Sequence, residues 1–598
     1  MANNKEIKNL VNLFLRQAKI KGDSPFVWHK VSGNWQSLTW NSAADKISAI
    51  ARSLKNLGLN PGDRVGLISE SRPEWPLADI GIMAAGCITV PAYTTNGVSD
   101  HQHVLADSEA SAVIFSTNEL GSKVYQAASQ AGSVKFAISI EENRISPENG
   151  IPIYRWEDMI NEEKIDMADL EKAAENTAKD DTACLIYTSG TGGVPKGVML
   201  SHGAIISNCE GSKQLLKEMG LDDEVFLSFL PLSHSYEHTA GQFFPIMIGA
   251  QIYYAEGIEK LAQNMLETRP TLMTAVPRLY EVMHDRIQRG VEQAGGKTEK
   301  LFKKTVALGI KQYENPKSMT FNDLIQNKLL TLLVRHKAKK RFGGRLKALV
   351  SGGAPLNYEI GVFFTALGIR LLQGYGQTES APVISCNPPT KNKIETVGPP
   401  LKDVEVKIAK DGEILVRGEL VMQGYWKNSE ATNEAIQNGW LHTGDIGELD
   451  SEGYIKITDR KKDIIVNSGG DNISPQKIEG RLATQPEIMQ AMVYGDKRPH
   501  IVALVIPDLE FAKDWAEKNL PDTLDIAKLI DKKDFKMMIS EVIDRVNQYL
   551  SITEKIRRFV LSPEPFSVDN GMLTPTIKIR RHVIRKKFEK ILEDLYRG

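Results

Sequence analysis

The sequence predicts an α/β protein. It has a large N-terminal domain of helix-flanked, mostly parallel sheets with a small β-barrel-like portion, followed by a small α+β C-terminal domain. Three observations predict it. Short apolar runs at residues 65–68 and 111–115 are separated by helix-length segments, the pattern of parallel strands joined by helical crossovers. Beyond Gly412 the texture turns glycine-rich (GEILVRGELVMQGYW, GWLHTGDIGELDSEGYIKITDR) and reads as short antiparallel strands. After Asp459-Arg460-Lys461-Lys462 one further domain-sized unit remains, which places a boundary between a domain at 1–461 and one at 462–598.

Taken in order, Lys5, Glu6 and Lys8 with Leu10, Val11, Leu13 and Leu15 read as an amphipathic helix rather than a cleaved leader. Ala44, Ile47, Ile50, Ala51, Leu54 and Leu57 recur at helical spacing, with Gly58 as the stop. Pro61-Gly62 turns the chain into the strand at 65–68. The least charged stretch, 80–101, is broken by Pro91 and turns polar at Thr94, whereas a membrane-spanning helix needs about 20 apolar residues. An insertion at about 284–345 is basic: residues 297–345 hold 13 Lys/Arg against 3 Asp/Glu. Within it Leu324, Ile325, Leu329, Leu332 and Leu333 share a helical face. The favoured reading is a solvated helical hairpin packed on the domain; the sharper one is a surface for anionic lipid or an acidic partner.

Composition excludes other classes. With 598 residues, 41% hydrophobic and 25% charged, the chain is neither disordered nor fibrous. A net charge of −1 gives no global attraction to nucleic acid. Cys87, Cys184, Cys209 and Cys386 form no CxxC pair, so neither a zinc ribbon nor a thioredoxin-type site is expected. So few cysteines fit a reducing compartment, the cytoplasm, with a peripheral station at the inner face of a membrane left open.

The chemistry sits in a few segments. In LIYTSGTGGVPKG an apolar strand runs into a loop carrying Thr188, Ser189, Gly190, Thr191 and Lys196. Its glycines allow backbone N–H groups to approach phosphate oxygens, while hydroxyls and a lysine add donors and charge. Gly295-Gly296-Lys297-Thr298 is a decoy, since position 291 is valine and the preceding residues look helical. His234-Ser-Tyr-Glu-His238 matches a short zinc-hydrolase pattern, but nearby Pro231 and poor helix formers favour a structural or pocket-lining role. Ser351-Gly-Gly-Ala-Pro355 and Gly374-Tyr-Gly-Gln-Thr-Glu379 each follow an apolar run. They are therefore expected as loops at strand C-terminal ends, where α/β folds bind ligands.

Taken together and in this order, YTSGTGGVPKG, LPLSHSYEH, SGGAPL, GYGQTE, GWLHTGD, DRKKDIIVNSGGDNISP and LTPTIKIRR resemble the adenylate-forming acyl-CoA synthetases, most of all their long-chain fatty acyl branch. The helical insertion between PRLY (277–280) and GGR (343–345) agrees with that branch. Gly192 departs from it, standing where the family usually has a second threonine. The resemblance implies fatty acid, ATP and coenzyme A as substrates, Mg²⁺ as cofactor and a mobile C-terminal domain. Thr188, Ser189, Gly190, Thr191 and Lys196 would hold the β/γ-phosphates. Glu379 would take Mg²⁺ and Thr378 the α-phosphate. Tyr375 and Gly376, with Gly352, Gly353 and Ala354, would frame adenine. Asp445 would accept the ribose hydroxyls, and Arg460 would contact ribose or phosphate. Lys578 would be the catalytic lysine, Lys462 the hinge, Ser468, Gly469 and Gly470 the coenzyme A tunnel, and His234 and Tyr236 part of the acyl pocket. An acyl-AMP ligase serving a carrier protein and a silent lipid-binding scaffold are the alternatives. Acyl chain length and oligomeric state are not legible.

Overall fold

The computed structural model describes residues 7–142, 144–145, 150–160, 167–188, 194–469, 471–520, 525–574 and 579–597. Two eight-stranded sheets dominate the larger part. The first runs Val383–Cys386, Leu371–Gly376, Ala348–Ser351, Leu272–Ala275, Val225–Ser228, Gln251–Tyr254, Pro25–Val31, Asn34–Thr39, with only its two edge strands antiparallel. The second runs Gly424–Tyr425, Lys196–Ser201, Thr182–Thr188, Ile88–Pro91, Arg64–Ile68, Ala110–Phe115, Phe136–Ser139, Ile153–Arg155. It is parallel except for the Thr182–Thr188/Lys196–Ser201 hairpin and the short Gly424–Tyr425 strand. The glycine-rich region beyond 404 forms the expected antiparallel sheet, built from Glu405–Ile408, Glu413–Arg417, Trp440–Leu449, Ile436–Gln437 and Ile455–Arg460.

One contiguous core joins these sheets. It takes Phe26 and Phe226 from the first, Leu67 and Ile114 from the second, and Val416 and Leu441 from the third. The helix Glu74–Ala84 lies within it and is buried from Trp75 to Ala84 on every side, as a helix that is apolar all round must be. The weakly charged stretch 80–101 is thus divided among the end of this helix, the strand Ile88–Pro91 and the start of the helix Val98–Asp107. Among the described residues no helix is long and apolar enough to cross a membrane. The first helix is Leu10–Lys21, shorter than the sequence pattern suggests, because the Asn9 side chain accepts from the Asn12 N–H at 2.8 Å and caps it there. Lys5 and Glu6 lie outside the described residues. Phe14 on this helix meets Phe26 and Trp40, whose ring centroids are 4.0 Å apart, and pins the helix to the first sheet. Each such burial contributes roughly 1.5–3 kcal/mol.

Two further expectations meet the structure here. Gly295-Gly296-Lys297 marks the junction between helices Pro277–Ala294 and Gly296–Glu314, with no strand before it. Tyr375 and Gly376, expected in a loop, are instead the last residues of the strand Leu371–Gly376, opposite Ser385 and Val383. The apolar run ends at Leu372, but the backbone ladder continues because an antiparallel partner is there to receive it.

The C-terminal part has a three-stranded sheet, Ile488–Tyr494, Ile501–Pro507 and Ile556–Leu561, flanked by helices Pro475–Leu482, Lys533–Asn547 and Arg581–Asp594. Two of these helices are tied by an ion pair. Glu479 accepts from Arg581 Nη1 at 2.7 Å, pairs also with Nη2, and takes the Val493 N–H at 2.7 Å. Burial pushes the Glu479 carboxyl up, and Arg581 opposes the shift. Removing one partner strands the other, so Arg581→Met should destabilise the C-terminal part by about 3–5 kcal/mol, whereas Arg581→Met with Glu479→Leu should recover most of the loss. Urea unfolding of the full chain measures both.

Candidate active site

The residues singled out by sequence converge where the C-terminal ends of the two large sheets meet. In the Thr182–Thr188/Lys196–Ser201 hairpin, Thr188 stands directly opposite Lys196, so the backbone ladder fixes both ends of the glycine- and hydroxyl-rich loop. Ser189, Gly190, Thr191 and Gly192 of that loop lie outside the described residues. The short strand Gly424–Tyr425 is added beside Lys196–Ser201 and sets Tyr425 opposite Val198. Lys196 Nζ then lies 5.0 Å from the centroid of the Tyr425 ring, within cation–π range. The Tyr425 hydroxyl donates to Glu379 Oε1 at 2.9 Å. Burial and then the Glu379 carboxylate push this hydroxyl up, keeping it a donor at neutral pH.

Glu379 sits on the short 3₁₀ turn Thr378–Ser380 that follows the strand Leu371–Gly376. The turn is held from several sides. Met422 N–H donates to the Glu379 carbonyl at 2.9 Å, Asn208 Nδ2 to the Ser380 carbonyl at 3.3 Å, and Thr378 Oγ1 lies 3.0 Å from Ser235 Oγ. Gly376 makes the geometry possible, since a Cβ there would stand 1.7 Å from the Pro382 carbonyl oxygen. One residue earlier, the buried Tyr375 hydroxyl donates to Asp445 Oδ2 at 2.7 Å. Arg460, opposite Asp445 across the strand pair, brings Nε to 3.4 Å from Oδ1. Burial and then Asp445 raise the Tyr375 hydroxyl, which again remains a donor.

The adjoining loop opens from Ala348–Ser351. Gly352 lies against the Tyr236 ring, where a Cβ would come to 2.9 Å; Gly353 has φ +82°, and Ala354 is exposed. Tyr236 is buried and donates its hydroxyl to the Val350 carbonyl at 3.0 Å, while its N–H donates to His234 Nδ1 at 3.1 Å. The His234–His238 pattern divides, because the chain enters a π-helical turn at Glu237–Phe243. His238 Nε2 faces Asp79 Oδ2 at 2.9 Å, and the buried Glu237 accepts from Ser228 and Thr274, each at 2.6 Å. Burial pushes the Glu237 carboxyl up to about 7. The two imidazoles therefore serve different partners and do not share a metal geometry.

Lys462, Ser468 and Gly469 stand elsewhere. Lys462 is exposed in the turn after Ile455–Arg460. Ser468 and Gly469 are exposed in a compact turn in which Asn467 Oδ1 accepts the N–H groups of Gly469 and Asp471, both at 2.9 Å. Gly470 and Lys578 lie outside the described residues. Sequence reasoning missed Tyr425, whose partner Glu379 is 46 residues away, and Asp79, which is buried in an apolar helix. The only signal for Tyr425 was its place in the glycine-flanked MQGYW segment.

With this geometry in view, comparison with known proteins gives consistent matches. The AMP-binding enzyme family model matches residues 14–426, and the AMP-binding enzyme C-terminal domain model matches 462–598. The long-chain-fatty-acid–CoA ligase FadD15 of Mycobacterium tuberculosis is 33% identical over 574 residues, 95% of this chain and 93% of that protein. Human long-chain-fatty-acid–CoA ligase 1 is 30% identical, over 96% of this chain and 83% of its own length. In fold, the A domain of a carboxylic acid reductase from Segniliparus rugosus, solved with AMP and a co-purified carboxylic acid, superposes with a TM-score of 0.75 at 19% identity, covering 99% of this chain and 95% of that one.

The close approach at Gly376 yields a test that is independent of any activity. Gly376→Ala must displace the backbone at Pro382, so it should lower stability by at least about 2 kcal/mol. Gly374→Ala, whose Cβ would lie 3.3 Å from the Ser385 carbonyl oxygen, should cost less. Thermal denaturation of the two variants compares them.

Proposed function

The chain belongs to the AMP-binding enzyme family, and on that footing we propose that it is an AMP-forming long-chain fatty acid–CoA ligase. A fatty carboxylate oxygen attacks the α-phosphorus of ATP, the bond to the β-phosphate breaks, and pyrophosphate leaves. The coenzyme A thiol then attacks the acyl carbon, the bond to AMP breaks, and the thioester forms. The observation that carries the reading is the Lys196–Tyr425–Glu379 array, which sets a cation and a carboxylate from distant segments beside the mouth of a glycine- and hydroxyl-rich loop. FadD15 and the human ligase, named for transfer to CoA, favour that acceptor over a carrier protein and over a silent scaffold.

In this reading Thr188, Ser189, Gly190, Thr191 and Lys196 bind the β/γ-phosphates, and Thr378 orients the α-phosphate. Tyr375, Gly376 and the Gly352, Gly353, Ala354 loop frame adenine. Asp445 accepts the ribose hydroxyls; its carboxylate has lone pairs beyond those used by Tyr375 and Arg460. Glu379 fits Mg²⁺, being a hard carboxylate whose Oε1 is fixed by a hydroxyl donor. Bound there, the ion would neutralise phosphate charge during transfer. Tyr425 is a positioning residue that fixes Glu379 and seats Lys196. Lys578 stabilises charge during adenylation, while Lys462, as hinge, lets the domain at 462–598 exchange that lysine for Ser468, Gly469 and Gly470 at the coenzyme A entrance. His234 and Tyr236 border the acyl chain.

The deciding experiment is ATP–pyrophosphate exchange that depends on a long-chain fatty acid, with AMP release completed by coenzyme A; absence of fatty-acid-dependent exchange overturns the reading. Glu379→Gln should abolish most of the exchange with the fold intact, and normal turnover at ordinary Mg²⁺ concentration would dismiss the metal role. Tyr425→Phe, losing one hydrogen bond to a charged group worth about 1.5–3 kcal/mol, should lower kcat/KM about ten-fold or more and raise the Mg²⁺ requirement. Lys578→Ala should slow adenylation by on the order of a hundred- to a thousand-fold yet leave thioester formation from synthetic acyl-adenylate nearly normal.

A further inference from the structure

The basic insertion does not bury the apolar face that its sequence pattern defines. From Phe321 to Arg341 the chain runs helically through Phe321–Leu330, a π turn Thr331–Arg335 and His336–Arg341. Phe321, Leu324, Ile325, Leu329, Leu332 and Leu333 recur at helical spacing and stand out in solvent, with Phe321 80% and Leu332 69% exposed. The side turned inward carries Asn327, Leu330 and Arg335. The Arg335 guanidinium is buried and donates to the Ala366 carbonyl at 2.6 Å and the Asn327 carbonyl at 3.1 Å. A mixed seam of Leu330, Val334, Asn327 and Arg335 therefore anchors the helix, and a second, greasy stripe points away from it. The hairpin does pack on the domain, as expected, but with the opposite face.

Charge surrounds this stripe. Lys328 lies within it, and Lys337, Lys339, Lys340 and Arg341 follow on the next turns, all exposed and none in an ion pair among the described residues. Lys303 and Lys311, by contrast, are paired with Glu299 and Asp323. A second copy of this chain meeting the stripe about a two-fold axis would bring the two basic rims together. An anionic bilayer instead offers acyl depth to the Phe, Leu and Ile side chains and headgroup charge to the lysines.

We propose that the Phe321–Arg341 face docks this protein onto an anionic membrane surface, lying in the headgroup region without crossing it. Docking rests on geometry and charge alone; its use for collecting an acyl chain from the bilayer rests on the function proposed above. The full chain should co-sediment with phosphatidylcholine vesicles containing phosphatidylglycerol and much less with phosphatidylcholine alone, and added salt should release it. Each lost positive charge near the surface lowers partitioning about five-fold, so Lys328→Gln, Lys337→Gln and Lys340→Gln together should weaken binding about a hundred-fold. Phe321→Ser, Ile325→Ser, Leu329→Ser and Leu332→Ser together should abolish it. These positions are exposed, so circular dichroism and activity on detergent-dispersed fatty acid should be unchanged, while activity on vesicle-borne fatty acid falls. Equal binding to both vesicle types, no binding, or a dimer that the serine variant converts to monomer would each overturn the proposal. Because sedimentation needs no turnover, its failure is distinct from failure of fatty-acid-dependent exchange.

Discussion

One hydroxyl joins the two large sheets at the place where their chemistry-bearing loops end. Tyr425 belongs by backbone pairing to the edge of the second sheet and by its side chain to Glu379 at the end of the first. The same segment supplies Met422 N–H to the Glu379 carbonyl and Trp426 N–H to the Gly197 carbonyl, so residues 422–426 act as a clasp across the seam. Without it, Lys196 and Glu379 would sit on separate layers held together by packing and by more distant hydrogen bonds such as that from Asn208 to the Ser380 carbonyl. A donor–acceptor pair at hydrogen-bond distance is far less tolerant of displacement than apolar contact.

Much of this was legible in the sequence, for identifiable reasons. Strands such as Arg64–Ile68 and Ala110–Phe115 are buried on both faces and therefore read as unbroken apolar runs. The helix Trp40–Asn56 shows its period because one face is wet, and Gly58, at φ +89°, ends it where the sequence placed a stop. Glycine and hydroxyl clusters marked the candidate site because the same local chemistry serves phosphate wherever it occurs. Long-range partnership was not legible. Nothing local to Tyr425 points to Glu379, and nothing local to Tyr375 shows that its hydroxyl reaches Asp445, 70 residues on. The insertion illustrates the same limit: periodicity tells which side chains share a face, while the direction of that face was settled by Arg335 finding carbonyl partners on its neighbours.

The buried polar group beside the candidate site follows similar logic. Asp79 is the one charged residue in the middle of an otherwise apolar helix, and it receives His238 and Gln242 at 2.9 and 2.7 Å from the π-helical turn. Within this turn two side chains four residues apart converge on one carboxylate oxygen. The cost of burying Asp79 is offset only while both partners are present. It therefore specifies how the segment after His234 is wound, and through Tyr236 it reaches the floor of the Gly352 loop.

The insertion leaves and re-enters the molecule between two strands that lie side by side. Leu272–Ala275 pairs directly with Ala348–Ser351, so everything from 276 to 347 is a single excursion on one crossover. Closing a longer excursion costs little, about 0.6 kcal/mol for each doubling of its length. What limits the excursion is therefore packing rather than closure: Leu279, Tyr280, Phe302 and Phe342 belong to the core beneath the first sheet, and Gly309 has a close seat on Ala366. In modular terms this is a socket: the buried residues are the plug, and the exposed run from Phe321 to Arg341 is the part that can vary while the paired strands stay in register.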